Sequence, residues 1–158
     1  HAELGRQSLG VSPGHARLFA TLRAQTTTSL DEARARVIQL VDSLAEEHGL
    51  KADLSWREFF PETRNDPALV RLLAGICTEL DVSHVMRATP MRWSDDCGHI
   101  AAAAPSVYFG LGIGETASGL HQDGYAFPDD VVPTGVELLY RFVTRLLAVH
   151  RGSSEAAE

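Results

Sequence analysis

The sequence predicts an α/β protein in two parts. A small α+β unit with the order strand, strand, helix, strand occupies residues 1–62, an α/β layer occupies 63–152, and a polar tail occupies 153–158. Three observations lead there. Apolar residues alternate with period two over 16–23 and again over 50–56, but recur at helical spacing between those stretches. The run Pro61–Pro67, PETRNDP, breaks the composition and marks a boundary. Beyond it, helix, strand, helix, strand and helix signals follow one another, which is the pattern of helices laid on a parallel or mixed sheet.

The elements are justified in chain order. Residues 4–11 mix polar and apolar side chains and stop at Ser12-Pro13-Gly14, a turn signal, so they pair with 16–23 in a hairpin. Ser29 followed by Glu32 reads as a helix start, with Ala33, Val37, Leu40, Val41 and Leu44 on one apolar face. His48-Gly49 ends that helix, because glycine suits a left-handed terminal position. Residues 50–60 read as a strand. Asp66 caps the next helix, with Pro67 at its first position. Residues 82–88 form a strand, and 94–104 form a short helix capped by Ser94 or Asp95. The nearly all-apolar run 106–111 is a strand covered on both faces. Residues 133–150 form the last helix and bury Val136, Leu138, Leu139, Phe142, Val143, Leu146 and Leu147.

Composition excludes several classes of function. The chain has 158 residues, is 44% hydrophobic and 22% charged, and carries a net charge of -7. An acidic surface without clustered Lys and Arg argues against binding nucleic acid or an anionic membrane. No apolar run approaches the roughly 20 residues that span a bilayer, and HAELGRQSLG lacks the pattern of a signal peptide. Two cysteines, Cys77 and Cys97, make no disulfide framework. A reducing, cytoplasmic setting is expected. His1 is not an initiator residue, which leads us to expect a piece of a longer protein.

The chemistry centres on the glycine-rich stretch Gly110 to Gly119, GLGIGETASG, which follows the run 106–111 and delivers His121. Ligands bind at such loops at the carboxyl ends of strands. The stretch lacks the Lys and Ser/Thr of a phosphate loop, and its glycines are spaced two apart, unlike a dinucleotide fingerprint. Neutral imidazole is a common zinc ligand. On the residues alone a surface histidine is the commoner case, and the ligand reading of His121 stays open. Asp95, Asp96, Cys97 and His99 resemble a ligand cluster, yet acids at a helix start favour the helix dipole, and side chains two apart diverge. Arg23 can clamp a carboxylate with two parallel hydrogen bonds, although a solvated edge arginine is the commoner case.

Three strings carry a resemblance: TPMRWSDDCG, FGLGIGE and LHQDGYAFPDDVVPTGVELL. They resemble the C-terminal end of the zinc amidohydrolases, the family of aminoacylases, glutamate carboxypeptidases, succinyl-diaminopimelate desuccinylase and plant indole-acetyl-amino-acid hydrolases. LGVSPGHARLFATLR and FFPETRNDPALVRLL are similar to that family's inserted lid and the return into its catalytic domain. The resemblance implies a partial lid over 1–62 and the end of a di-zinc catalytic domain over 63–152. It implies that His121 ligates one of two zinc ions (or another divalent metal). Arg23 would hold a substrate carboxylate, with Gly110 and Gly112 lying beside the substrate. It further implies a serine–acid pair at Ser94 and Asp95, and a homodimer formed through the lid. Gly10 stands where the family often has asparagine, and Cys97 where it often has phenylalanine. The family's other metal ligands, its paired glutamates and its lid histidine have no match here.

The expected function is therefore the C-terminal part of a metal-dependent amidohydrolase acting on N-acyl amino acids or related small amides. It should be inactive without the upstream ligands, since the general base is among them. The alternatives are a non-catalytic binding module and a dimerisation unit derived from the same family.

Overall fold

A computed structural model describes residues 1–155, and the surroundings of side chains for residues 1–148. It shows a small mixed α/β chain in two compact units, His1–Glu62 and Thr63–Glu158. Among the described residues there are four α-helices and one two-stranded sheet.

In the first unit, β1 (Ala2–Leu4) and β2 (Ala16–Leu18) pair antiparallel, with Glu3 opposite Arg17. The hairpin is shorter than its sequence pattern and begins earlier. Gly5 ends β1 in the left-handed region, at φ 50, with its N–H donating to the His15 carbonyl at 2.9 Å. A Cβ on Gly5 would lie 2.9 Å from the Cβ of Pro13, so only glycine fits this approach. Residues 5–11, expected in the strand, form a loop instead. Both strands are exposed on both faces.

Helix α1 (Thr27–Glu47) is capped by Thr26, whose hydroxyl oxygen accepts from the Ser29 N–H at 3.1 Å. The expected cap, Ser29, is thus the donor to the cap. Glu62 returns to the same terminus: its carboxylate accepts from the Thr27 N–H at 3.2 Å, and its own N–H donates to Thr27 Oγ1 at 3.1 Å. The helix ends as expected at Gly49, φ 63, where the N–H groups of Gly49 and Leu50 reach the carbonyls of Glu46 and Ala45. Leu30, Ala33, Val37, Val41 and Ala45 are half-buried, whereas Leu40 and Leu44 are exposed. The strand expected over 50–60 is absent. Glu58 takes a left-handed φ of 54, no ladder forms, and Trp56 lies under the Arg34 guanidinium at 5.0 Å.

In the second unit, Asp66 caps α2 (Pro67–Glu79), accepting from the N–H groups of Ala68 at 2.8 Å and Leu69 at 3.0 Å. Asp66→Ala is expected to cost about 1 kcal/mol, measured as a lowered denaturant midpoint at unchanged slope. The helix closes on Asp81, φ 54, with the Val82 N–H on the Cys77 carbonyl at 2.8 Å. A short helix, α3 (Cys97–Ala103), and a 3-10 turn, Asp129–Val131, precede α4 (Val132–Glu155). The last helix runs past the expected start of the tail, and residues 156–158 lie outside the described residues.

The core sits between α2 and α4. Ile76 is fully buried, Cys77 and Leu138 nearly so, and Leu72, Leu80, Val82, Phe109, Leu111 and Phe142 pack around them. The expected burial along α4 is corrected: Val136, Leu139, Val143 and Leu147 are exposed and only the stripe toward α2 is covered. A helix covers only the stripe that meets its neighbours, which for α4 among the described residues are α2 and the segment carrying Phe109 and Leu111. The strand expected over 82–88 does not form, nor does a ladder over 106–111. An extended segment becomes a strand only when another backbone completes its hydrogen bonds.

Among the described residues one ion pair joins α2 and α4. Arg145 on α4 grips Glu79 with both guanidinium amino groups, its Nη1 donating to Oε1 at 2.8 Å and its Nη2 to Oε2. That grip holds the Glu79 carboxyl below its ordinary value of 4.5. The folded state therefore binds fewer protons than the unfolded state near that value. The contribution is present above pH 4.5 and is lost as pH falls through the lower folded value. Glu79→Gln is expected to flatten the acid side of a melting-temperature profile and leave its neutral-to-alkaline shape unchanged.

Candidate functional site

The segment from Ser106 to Ile113 positions the glycine loop. Val107, Phe109, Leu111 and Ile113 are half-buried, while Tyr108, Gly110 and Gly112 are exposed. This period of two marks one face on the core and one face open. It corrects the expectation of a strand covered on both faces. The backbone is held from one edge. The Asn65 side chain donates Nδ2 to the Tyr108 carbonyl at 2.8 Å and accepts the Tyr108 N–H on Oδ1 at 2.8 Å. Beside it the Asp66 N–H donates to the Ser106 carbonyl at 2.8 Å.

The loop then turns out to His121. The Gly119 N–H donates to Gln122 Oε1 at 3.2 Å, and the Gln122 N–H donates back to the Gly119 carbonyl at 3.1 Å. His121 stands inside this turn at φ 67, a left-handed conformation that few side-chain-bearing residues adopt, histidine more often than most. Such conformations cost on the order of 1–3 kcal/mol and gather at functional sites. The His121 side chain is exposed, as are Gly110 and Gly112, and no Cβ added at either glycine would meet anything within 4 Å. Gly110, Gly112 and His121 thus share one open stretch of the second unit. Arg23 belongs to the first unit, is exposed, and lies beyond the end of β2 rather than closing a strand.

Beside Tyr108 stands a polar cluster. The Tyr108 hydroxyl donates to the Asp95 carboxylate and holds that carboxyl below its ordinary value. The Cys97 N–H donates to Asp95 Oδ1 at 2.8 Å. Burial, and then the Asp95 carboxylate, push the Cys97 thiol up. Among the described residues, no group of three His, Cys, Asp or Glu side chains could hold a metal ion. The cluster of Asp95, Asp96, Cys97 and His99 reads as a helix start.

Asn65 and Tyr108 escaped sequence reading. Asn65 lies in the run taken as a boundary, and a partner 43 residues away leaves no local signal.

Comparison with known proteins gives the family of the chain. The model of Peptidase family M20/M25/M40 matches residues 4–145. The chain belongs to that family. An uncharacterised hydrolase of Sinorhizobium fredii is 31% identical over 115 residues, which covers 71% of this chain and 29% of the relative. The N-acetyldiaminopimelate deacetylase of Limosilactobacillus fermentum is 24% identical over 136 residues, covering 85% and 35%. That of Exiguobacterium sibiricum is 26% identical over 129 residues, covering 82% and 34%. The chain spans about a third of the length of these curated relatives. No solved structure matches it.

Proposed function

We propose that this chain is the C-terminal part of a metal-dependent amidohydrolase that cleaves the amide bond of N-acyl amino acids or related small amides. The observation that carries this reading is His121, held in a left-handed turn at the end of an exposed glycine loop, in a chain of the M20 family. The deacetylases among its relatives support amide cleavage as the reaction.

In this reading the exposed Gly110 and Gly112 lie beside the substrate, with no side chain on either to block its approach. Arg23 of the first unit, read as part of a lid, orients the substrate carboxylate with two charge-assisted hydrogen bonds. His121 is one ligand of a zinc or other divalent-metal site. The described residues do not complete that site, so no chemical step is assigned to this chain. Its remaining ligands and the general base come from the part of such enzymes that this chain does not match. The exposed stripe Val136, Leu139, Val143 and Leu147 on α4 supports the same view, since that much apolar surface calls for a cover. We also place a homodimer contact on the first unit and the protein in the cytoplasm. Among the described residues no helix is long and apolar enough to cross a membrane.

The test is a pair of assays of amine release from N-acetyl amino acids. The 158 residues alone should release none, whereas a chimera joining them to the upstream two thirds of a relative should hydrolyse the substrates. In the chimera, Arg23→Ala should raise KM for carboxylate-bearing substrates. Turnover by the isolated chain would overturn the reading.

A further inference from the structure

We propose that Asn65 is a positioning residue that fixes how Gly110, Gly112 and His121 are presented. The proposal rests on the reading of these three as the substrate and metal side of the site. In an extended backbone, the N–H and C=O of alternate residues point to the same edge. Ser106 and Tyr108 share one edge, and on that edge the Asp66 N–H and the Asn65 amide take the place of a neighbouring strand. The alternation of half-buried and exposed residues continues through Ile113. Gly110 and Gly112 are therefore the next residues whose backbone groups face the edge that Asn65 closes. Among the described residues, pairing on this edge ends at Tyr108, immediately before the glycine pair.

The same contact sets the register of the segment. A slip of one residue would turn Phe109 and Leu111 away from the core and the glycines into it. Asn65 makes two hydrogen bonds to one residue, and these define a single register. Asn65 also adjoins Asp66, the cap of α2, so the core helix anchors the clamp. Apolar packing of Phe109 and Leu111 fixes which face is buried. The clamp fixes the position along the strand at which the loop begins.

The experiment uses the isotopically labelled 158-residue chain and three variants, Asn65→Ala, Asn65→Asp and Tyr108→Phe. Amide hydrogen exchange is read at Tyr108, Gly110 and Gly112, and the ring resonances of His121 are followed by NMR. The amides of Ile76 and Leu138 serve as the folding reference. Asn65→Ala should accelerate exchange at Tyr108 on the order of tenfold, as expected for two lost hydrogen bonds. It should also shift the Gly110, Gly112 and His121 signals, with Ile76 and Leu138 unchanged. Asn65→Asp keeps the acceptor and loses the donor, so its response should be intermediate. Tyr108→Phe should keep the backbone register and the glycine signals. Two results would overturn the proposal: a response confined to Tyr108 with the loop unmoved, or equal acceleration at Ile76 and Leu138 in both Asn65 variants. None of these readouts depends on hydrolysis. A silent loop defeats the role of Asn65 alone, and an inactive chimera defeats the hydrolase reading alone.

Discussion

Ile76→Ala is expected to destabilise the second unit by roughly 2–5 kcal/mol, the range for truncating a large aliphatic side chain in a core. Among the described residues Ile76 is the largest fully buried side chain, and Cys77, Leu138 and the half-buried Phe109 and Leu111 pack in the cluster around it. The loss has two parts. Removed methyl groups no longer leave water on folding, and the cavity left behind strips contacts from its lining. The core here is small, with few neighbours able to collapse into the gap, which favours the upper half of the range. Because the glycine loop leaves the core through Phe109 and Leu111, the Tyr108 amide held at its start should lose protection together with those of α2 and α4. Denaturant unfolding and amide exchange measure both effects. Ile76→Val removes one methyl group and should cost about 0.5–1.5 kcal/mol, a graded control.

His121→Asn is expected to remove hydrolysis by the chimera and to weaken its metal binding. The loss of affinity should exceed the roughly 10–100-fold that a hydrogen-bond partner of a metal ligand contributes. Asparagine is chosen because it tolerates the left-handed backbone at this position, so the turn between Gly119 and Gln122 survives while the imidazole goes. Metal content measured after dialysis, set beside the circular dichroism of the same variant, separates loss of a ligand from loss of the fold. Full metal occupancy in His121→Asn would show that the histidine is not a ligand and would favour a dimerisation role for the chain.

Much of the helical structure was legible in the residues. Asp66-Pro67 starts α2 because a carboxylate satisfies two free N–H groups and proline needs none. Gly49 ends α1 because the closing geometry needs a left-handed residue. The run Thr26–Ser29 holds two hydroxyl residues that can cap, and only the folded geometry distinguishes them, in favour of Thr26. Strands were less legible. The apolar composition of 106–111 suggested two covered faces, whereas only Val107, Phe109 and Leu111 turn to a covered one. Nor could it show that an asparagine side chain, rather than a strand, would complete the edge. Over 50–60 the alternation produced no ladder at all.

Helix ends, the family strings and the single histidine at the end of the glycine loop follow from the sequence alone, because each depends on residues a few positions apart. Tertiary structure decided which apolar stripe of α4 is covered, that 106–113 has one open face, and that Asn65 holds Tyr108. Those outcomes depend on partners far along the chain. A residue type states what a group can bond or bury, and only the fold brings the partner within reach.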